Sequence, residues 1–127
     1  MNDGILYDRG YFICRCLLRG TFYRPDRAEI KRQVQLEDPV ALVRETDNPH
    51  DTNAVAVCDV YGRHLGYIDR GENHEIAFLL DQGIECAGIV SAVNKSVTVV
   101  GIAIDVYAYG DEEVLRLARA SFRKIIE

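Results

Sequence analysis

The chain has 127 residues, 48% of them hydrophobic, and a formal net charge of −5. That length makes one domain, residues 1–127, with a single core and no room for a motor plus a second module. The apolar share excludes a disordered chain, and the acidic balance excludes a protein whose whole surface grips phosphates.

Residues 11–19 read as a strand with Phe12, Cys14, Cys16 and Leu18 on one face. Residues 20–23 then bend the chain, and Pro25 with Asp26 opens a short helix over 25–36 with Ile30 and Val34 inward, ended before Pro39. Strands follow over 40–46 and 54–60. The turn Tyr61-Gly62-Arg63 returns the chain over 64–69, which makes a three-stranded antiparallel sheet. A helix over 72–81, closed by Gly83, is expected to pack against one end of a barrel. Two long strands, 84–93 and 97–109, are joined by a turn at Asn94 and Lys95, and Gly88 and Gly101 interrupt them where a barrel has to bend. The last element is an amphipathic helix over 111–126. Its stripe of Leu115, Ala118, Phe122 and Ile125 is expected to pack on the barrel, with Arg116, Arg119 and Arg123 on the opposite face.

The longest apolar run, residues 97–104, is far short of a bilayer span. The N-terminus, MNDGILYDRG, lacks a basic-then-apolar signal layout, so a cytoplasmic protein is expected. Cys14, Cys16, Cys58 and Cys86 form no CxxC pair and have no histidine spaced for tetrahedral zinc. They read as buried, reduced thiols, with no metal or other cofactor expected. Phosphate-loop, nucleophile-elbow and HExxH motifs are absent, so no enzyme activity is expected. His50 beside Asp51 raises a metal-dependent nuclease only as a reading to be excluded. From Arg15 to Arg32, six cations (Arg15, Arg19, Arg24, Arg27, Lys31, Arg32) face two acids, Asp26 and Glu29. That pattern suits a solvated face or a phosphate track equally.

The segment between the strands at 40–46 and 54–60 is the most specific. Asp47, Asn48, Asp51 and Asn53 can each fold a side-chain oxygen onto nearby backbone N–H groups, and Pro49 disfavours helix at Asn48. The run Arg44, Asp47, Asn48, Pro49, Asp51, Asn53, Ala54 and Val55, followed by Gly62 and by Gly66-Tyr67-Ile68, resembles the HIRAN domain. This small module is found in helicase-like fork-remodelling proteins and as free-standing proteins. The resemblance implies an α+β fold, a small OB-like antiparallel β-barrel with two or three helices, that holds the 3′ end of single-stranded DNA. It extends over roughly three-quarters of the chain, reaching back to Gly20, Phe22 and Tyr23.

By that resemblance, His50 stands where an aromatic residue stacks on the last base, and Asp51 where a carboxylate contacts the 3′-hydroxyl. Arg70 takes the place of a phosphate-contacting lysine, while Asn48 and Asn53 contact DNA or brace the turn. The residues themselves offer Phe22 and Tyr23 as stacking surfaces, one of them expected in the core, and Tyr67 as either a groove residue or a strand-packing one. The expected partner is single-stranded DNA or a DNA 3′ end in a repair or replication context, with no membrane. The alternative is a protein-interaction or homodimer-forming module that has lost DNA binding and uses the C-terminal helix.

Overall fold

The computed structural model describes residues 10–20, 27–94 and 101–126. Six antiparallel strands are β1 (Tyr11–Arg19), β2 (Pro39–Arg44), β3 (Val55–Cys58), β4 (His64–Ile68), β5 (Glu85–Asn94) and β6 (Gly101–Tyr109). They close into a barrel in the order β1-β4-β3-β2-β5-β6. Three helices, α1 (Arg27–Gln33), α2 (Asn73–Asp81) and α3 (Glu112–Ile126), complete this OB-like α+β fold among the described residues. None is long and apolar enough to cross a membrane.

Alternation fills the barrel with Val40 on β2 and Ile102, Ile104 and Val106 on β6, while on β4, where the register against β3 shifts, Leu65 and Ile68 are both buried. On β3, Val55, Ala56 and Val57 are buried on both faces, because α2 lies across β2, β3 and β5 and covers the outer side with Ile76 and Leu79. Ile30 of α1 and Val34, just past its last residue, plug into the same core, as their i, i+4 spacing predicts. This helix stops where the Asp38 carboxylate accepts the Gln35 N–H at 2.8 Å and Glu37 turns to a φ of 70°.

Two strands depart from the sequence reading. In β1 the register shifts between Phe12 and Cys14, so Ile13 rather than Phe12 enters the core, and Phe12 is exposed. A bulge adds a residue that strict alternation does not count. In β5 the irregularity falls between Val90 and Ala92, not at Gly88, which pairs regularly with Val40 and Val106. Glycine is required at that position by close approach: an added Cβ would stand 3.0 Å from Val40 and 3.2 Å from the Asp105 carbonyl oxygen. The β3–β4 turn starts earlier than expected, at Asp59, whose Oδ1 accepts the N–H groups of Tyr61 and Arg63 at 2.9 Å each. Lys95 and the expected start of the next strand at residue 97 lie outside the described residues, as do Pro25 and Asp26.

The C-terminal helix starts where Asp111 Oδ1 accepts the N–H groups of Glu113 and Val114. It lies against α2, and Leu115 joins the core cluster that the strands build. Leu115 is buried, Ala118 and Phe122 are half-buried, and the Phe122 ring meets Phe78 at 5.5 Å. Ile125 does not share this contact and is 69% exposed. Arg119 is not on the solvent face: it donates to both Glu75 oxygens, at 2.7 and 3.3 Å, across the α2–α3 seam. Leu115→Ala should therefore cost about 2 to 5 kcal/mol of stability, whereas Ile125→Ala should stay within about 0.5 kcal/mol. Urea midpoints of the two variants read the difference, and equal losses would mean that the helix buries a different stripe.

Candidate functional site

The loop between β2 and β3 is built by its own polar side chains. Asn48 Oδ1 accepts the N–H groups of His50 at 2.9 Å and Asp51 at 3.1 Å, and Asp51 Oδ1 accepts that of Asn53 at 2.9 Å. Its ends are joined by the Glu45 N–H to the Ala54 carbonyl at 3.0 Å. Arg44 closes the base, donating to the carbonyls of Glu45, Thr52 and Ala54 and to both carboxylate oxygens of Asp81.

A groove of about 450 Å³ opens beside this loop. Asn48, His50 and Asp51 form one wall, Tyr67 and Arg70 from the end of β4 form the other, and Arg19 with Gly20 from the end of β1 closes it. The strands place these residues together: β1 and β4 pair through Leu18 with Ile68 and Arg19 with Tyr67, so both strand ends arrive opposite the loop. Five of the seven residues singled out from the sequence, Asn48, His50, Asp51, Tyr67 and Arg70, thus line one concavity. Phe22 and Tyr23 lie outside the described residues. Asn53 braces the turn through its backbone.

Two residues that the sequence reading did not select hold the site. Glu45 Oε1 accepts both the Tyr67 hydroxyl and the Asn48 amide at 3.0 Å, so Tyr67 lines the groove and is anchored to the loop, with its ring edge-on to His64 at 4.8 Å. Burial and this bond raise the Tyr67 phenol, which stays a donor. Asn73, buried at the start of α2, donates to Asp51 Oδ2 at 2.8 Å. The contacts to Tyr67 and Asp51 have no local signal, because each reaches a residue 22 positions away.

Burial alone would raise the Asp51 carboxyl. The Asn53 amide, the Asn73 carboxamide and the charges of Arg70 and His74 outweigh that effect and hold it below its ordinary value. Arg70 stands 3.7 Å from Asp51 with 69% of its side chain exposed, and also donates to the His50 carbonyl. The site therefore combines an ionised carboxylate, an accessible guanidinium and an exposed imidazole on a braced loop.

The cation run from Arg15 to Arg32 does not converge here as a set. Arg19 reaches the groove while paired to Asp69 at 2.8 Å; Arg15 pairs with Asp105 across β1 and β6; Arg32 bonds Glu29 and lines a different cleft of about 790 Å³. The side chains of Arg24, Arg27 and Lys31 lie outside the described set. That larger cleft, between α1 and the β3–β4 turn, pairs Arg32 and Arg63 with Glu29 and Asp59 beside Asp38, and it gathers none of the residues singled out from the sequence as the site, so the smaller groove is the better site despite its size.

The HIRAN domain family model matches residues 11–110. Among solved structures, the chain is similar to a protein from Lactobacillus plantarum at 26% identity and a TM-score of 0.72, over 78% of this chain and 94% of that one. It is similar in fold to the crystal structure of the HIRAN domain of human HLTF at 22% identity and a TM-score of 0.70, covering 87% and 86% of the two chains. It is also similar to the NMR structure of the HLTF HIRAN domain in its DNA-bound conformation, at 22% identity and a TM-score of 0.63, covering 91% and 90%. No curated protein matches the chain. The matched residues span the whole barrel and α2, including every groove residue described above, and on that match this chain belongs to the HIRAN domain family.

Proposed function

We propose that this domain binds single-stranded DNA and seats a free 3′-hydroxyl end in the groove beside the β2–β3 loop, serving repair or replication without chemistry of its own. The observation that carries this reading is Asp51, a carboxylate kept ionised and fixed by two hydrogen bonds, with a lone pair on each oxygen left to accept a hydroxyl. Arg70 supplies charge for the adjacent phosphate and His50 a flat ring for the last base. The DNA-bound conformation solved for the HLTF HIRAN domain supports the same partner class. An overall charge of −5 confines phosphate attraction to the groove.

A second reading, a protein-interaction or dimer-forming module, is favoured by one feature of α3: Val114, Leu117, Ile125 and Ile126 are all more than half exposed. Failure of short oligonucleotides to bind, together with a dimer by light scattering, would establish it instead.

Oligonucleotides ending in a 3′-hydroxyl should bind much more tightly than those ending in a 3′-phosphate, which the Asp51 carboxylate repels; equal affinity would sink the end-recognition reading. A charge-assisted hydrogen bond contributes about 1.5 to 3 kcal/mol, so Asp51→Ala should lose roughly tenfold or more. With about two to four phosphates neutralised, log K should fall with log salt at about −0.7 per contact, and Arg70→Ala should flatten that slope. Salt-independent binding, or full affinity in Arg70→Ala, would place the phosphate contacts elsewhere.

The ionised state of Asp51 is separately testable through stability. A carboxyl lowered on folding stabilises the native state above its unfolded value, about 3.9 for aspartate, and that contribution disappears as pH falls through the folded value. The gap in urea midpoint between wild type and Asp51→Asn should thus hold from about pH 7 to 5 and shrink below about pH 4. A gap that widens in acid would show that the carboxyl is not held charged.

A further inference from the structure

The geometry points to a divalent metal site of the zinc class formed by Cys14, Cys16 and Glu72, separate from the groove. Cys14 and Cys16 lie two apart in the regular part of β1 and so share a face, and their sulfurs approach to 3.3 Å. Glu72, at the entry to α2, brings a carboxylate to the pair, and the ligand atoms of all three lie within 4.8 Å of one another. Among the described residues this is the one group of three or more such ligands so closely gathered.

Two thiolates and a carboxylate suit a tetrahedral ion. Zinc–sulfur bonds of about 2.3 Å at the tetrahedral angle set the sulfurs about 3.8 Å apart, so the pair needs to open by only about half an ångström. Calcium and magnesium prefer all-oxygen shells, which this cluster does not offer. Cys16 is buried, Cys14 half-buried and Glu72 exposed, so the ion can enter from the Glu72 side and keep water as its fourth ligand. Binding releases the two thiol protons to solvent, while the carboxylate is already charged, leaving the centre with one net negative charge. Arg119 and Glu75, already paired to each other, stand near enough for both to act on Cys14.

Titrating the reduced full chain with Co²⁺ tests the site. Sulfur-to-cobalt charge-transfer absorption with the visible bands of tetrahedral Co²⁺ is expected, saturating at one ion per chain and bleached by Zn²⁺. Cys14→Ser should remove the charge-transfer band's normal strength, and Cys58→Ser should leave it intact. Glu72→Gln, at an exposed position, should weaken cobalt binding by at least the roughly 10 to 100-fold that follows loss of a supporting partner. Absence of a thiolate band in the wild type, or an unchanged titration in Glu72→Gln, overturns the assignment. Should Cys14→Ser fail to fold, alkylation of the wild-type chain decides: protection of Cys14 by Zn²⁺ supports the site, and equal labelling with and without the ion overturns it.

Discussion

One guanidinium holds the β2–β3 loop in shape. Arg44, with only 15% of its side chain exposed, satisfies the carbonyls of Glu45, Thr52 and Ala54 and grips Asp81 with two nitrogens. Left unpaired, the carbonyl of buried Ala54 would cost about 1 to 3 kcal/mol. A lysine has three donors radiating from a single point, whereas the planar fork of arginine reaches a ring of carbonyls and a carboxylate together. Asp81 sits in the last turn of α2, where the helix dipole disfavours an acid, so the same ion pair relieves the helix while fastening the loop to it. The groove wall inherits its rigidity from this contact.

The legible parts of the molecule are those whose causes are local. Asn48, Asp51 and Asn53 announce their turn because the atoms that fold it lie within three residues. Ile30 and Val34, and the capping of α3 by Asp111, follow from spacing in the same way. What stayed hidden depends on distant chain. Glu45 anchors Tyr67 and Asn73 anchors Asp51, each across 22 residues, a separation that no local pattern marks. The bulge at Ile13 inverts the expected face of Phe12 because a single inserted residue breaks the alternation between Phe12 and the later Cys16 and Leu18, which keep theirs. Arg119 reads as a solvent charge on a helical wheel and is a seam residue only because Glu75 of α2 lies opposite.

Charge is distributed so that an acidic chain keeps a locally usable cation. Arg44, Arg63 and Arg119 are largely enclosed by their carboxylate partners, with side-chain exposures of 15%, 28% and 28%. Arg70 differs, since its contact with Asp51 is long and most of the guanidinium faces solvent. Exposed pairs of that kind contribute little to stability and are readily exchanged for a ligand's oxygens. The arrangement separates these three fold-holding cations from Arg70, which remains available in the groove.

Barrel closure also determines how a partner can approach. Each of the six described strands hydrogen-bonds a neighbour on both sides, with β1 meeting β4 through Leu18 and Arg19, so the described sheet has no strand that is free along one whole side for an incoming peptide backbone. Strand addition, a common way for small β domains to capture extended chains, is thereby disfavoured. Recognition falls to side chains carried on loops, strand ends and the outer helix. The same closure removes a template for edge-to-edge association between copies, leaving an acidic surface free to discourage aggregation.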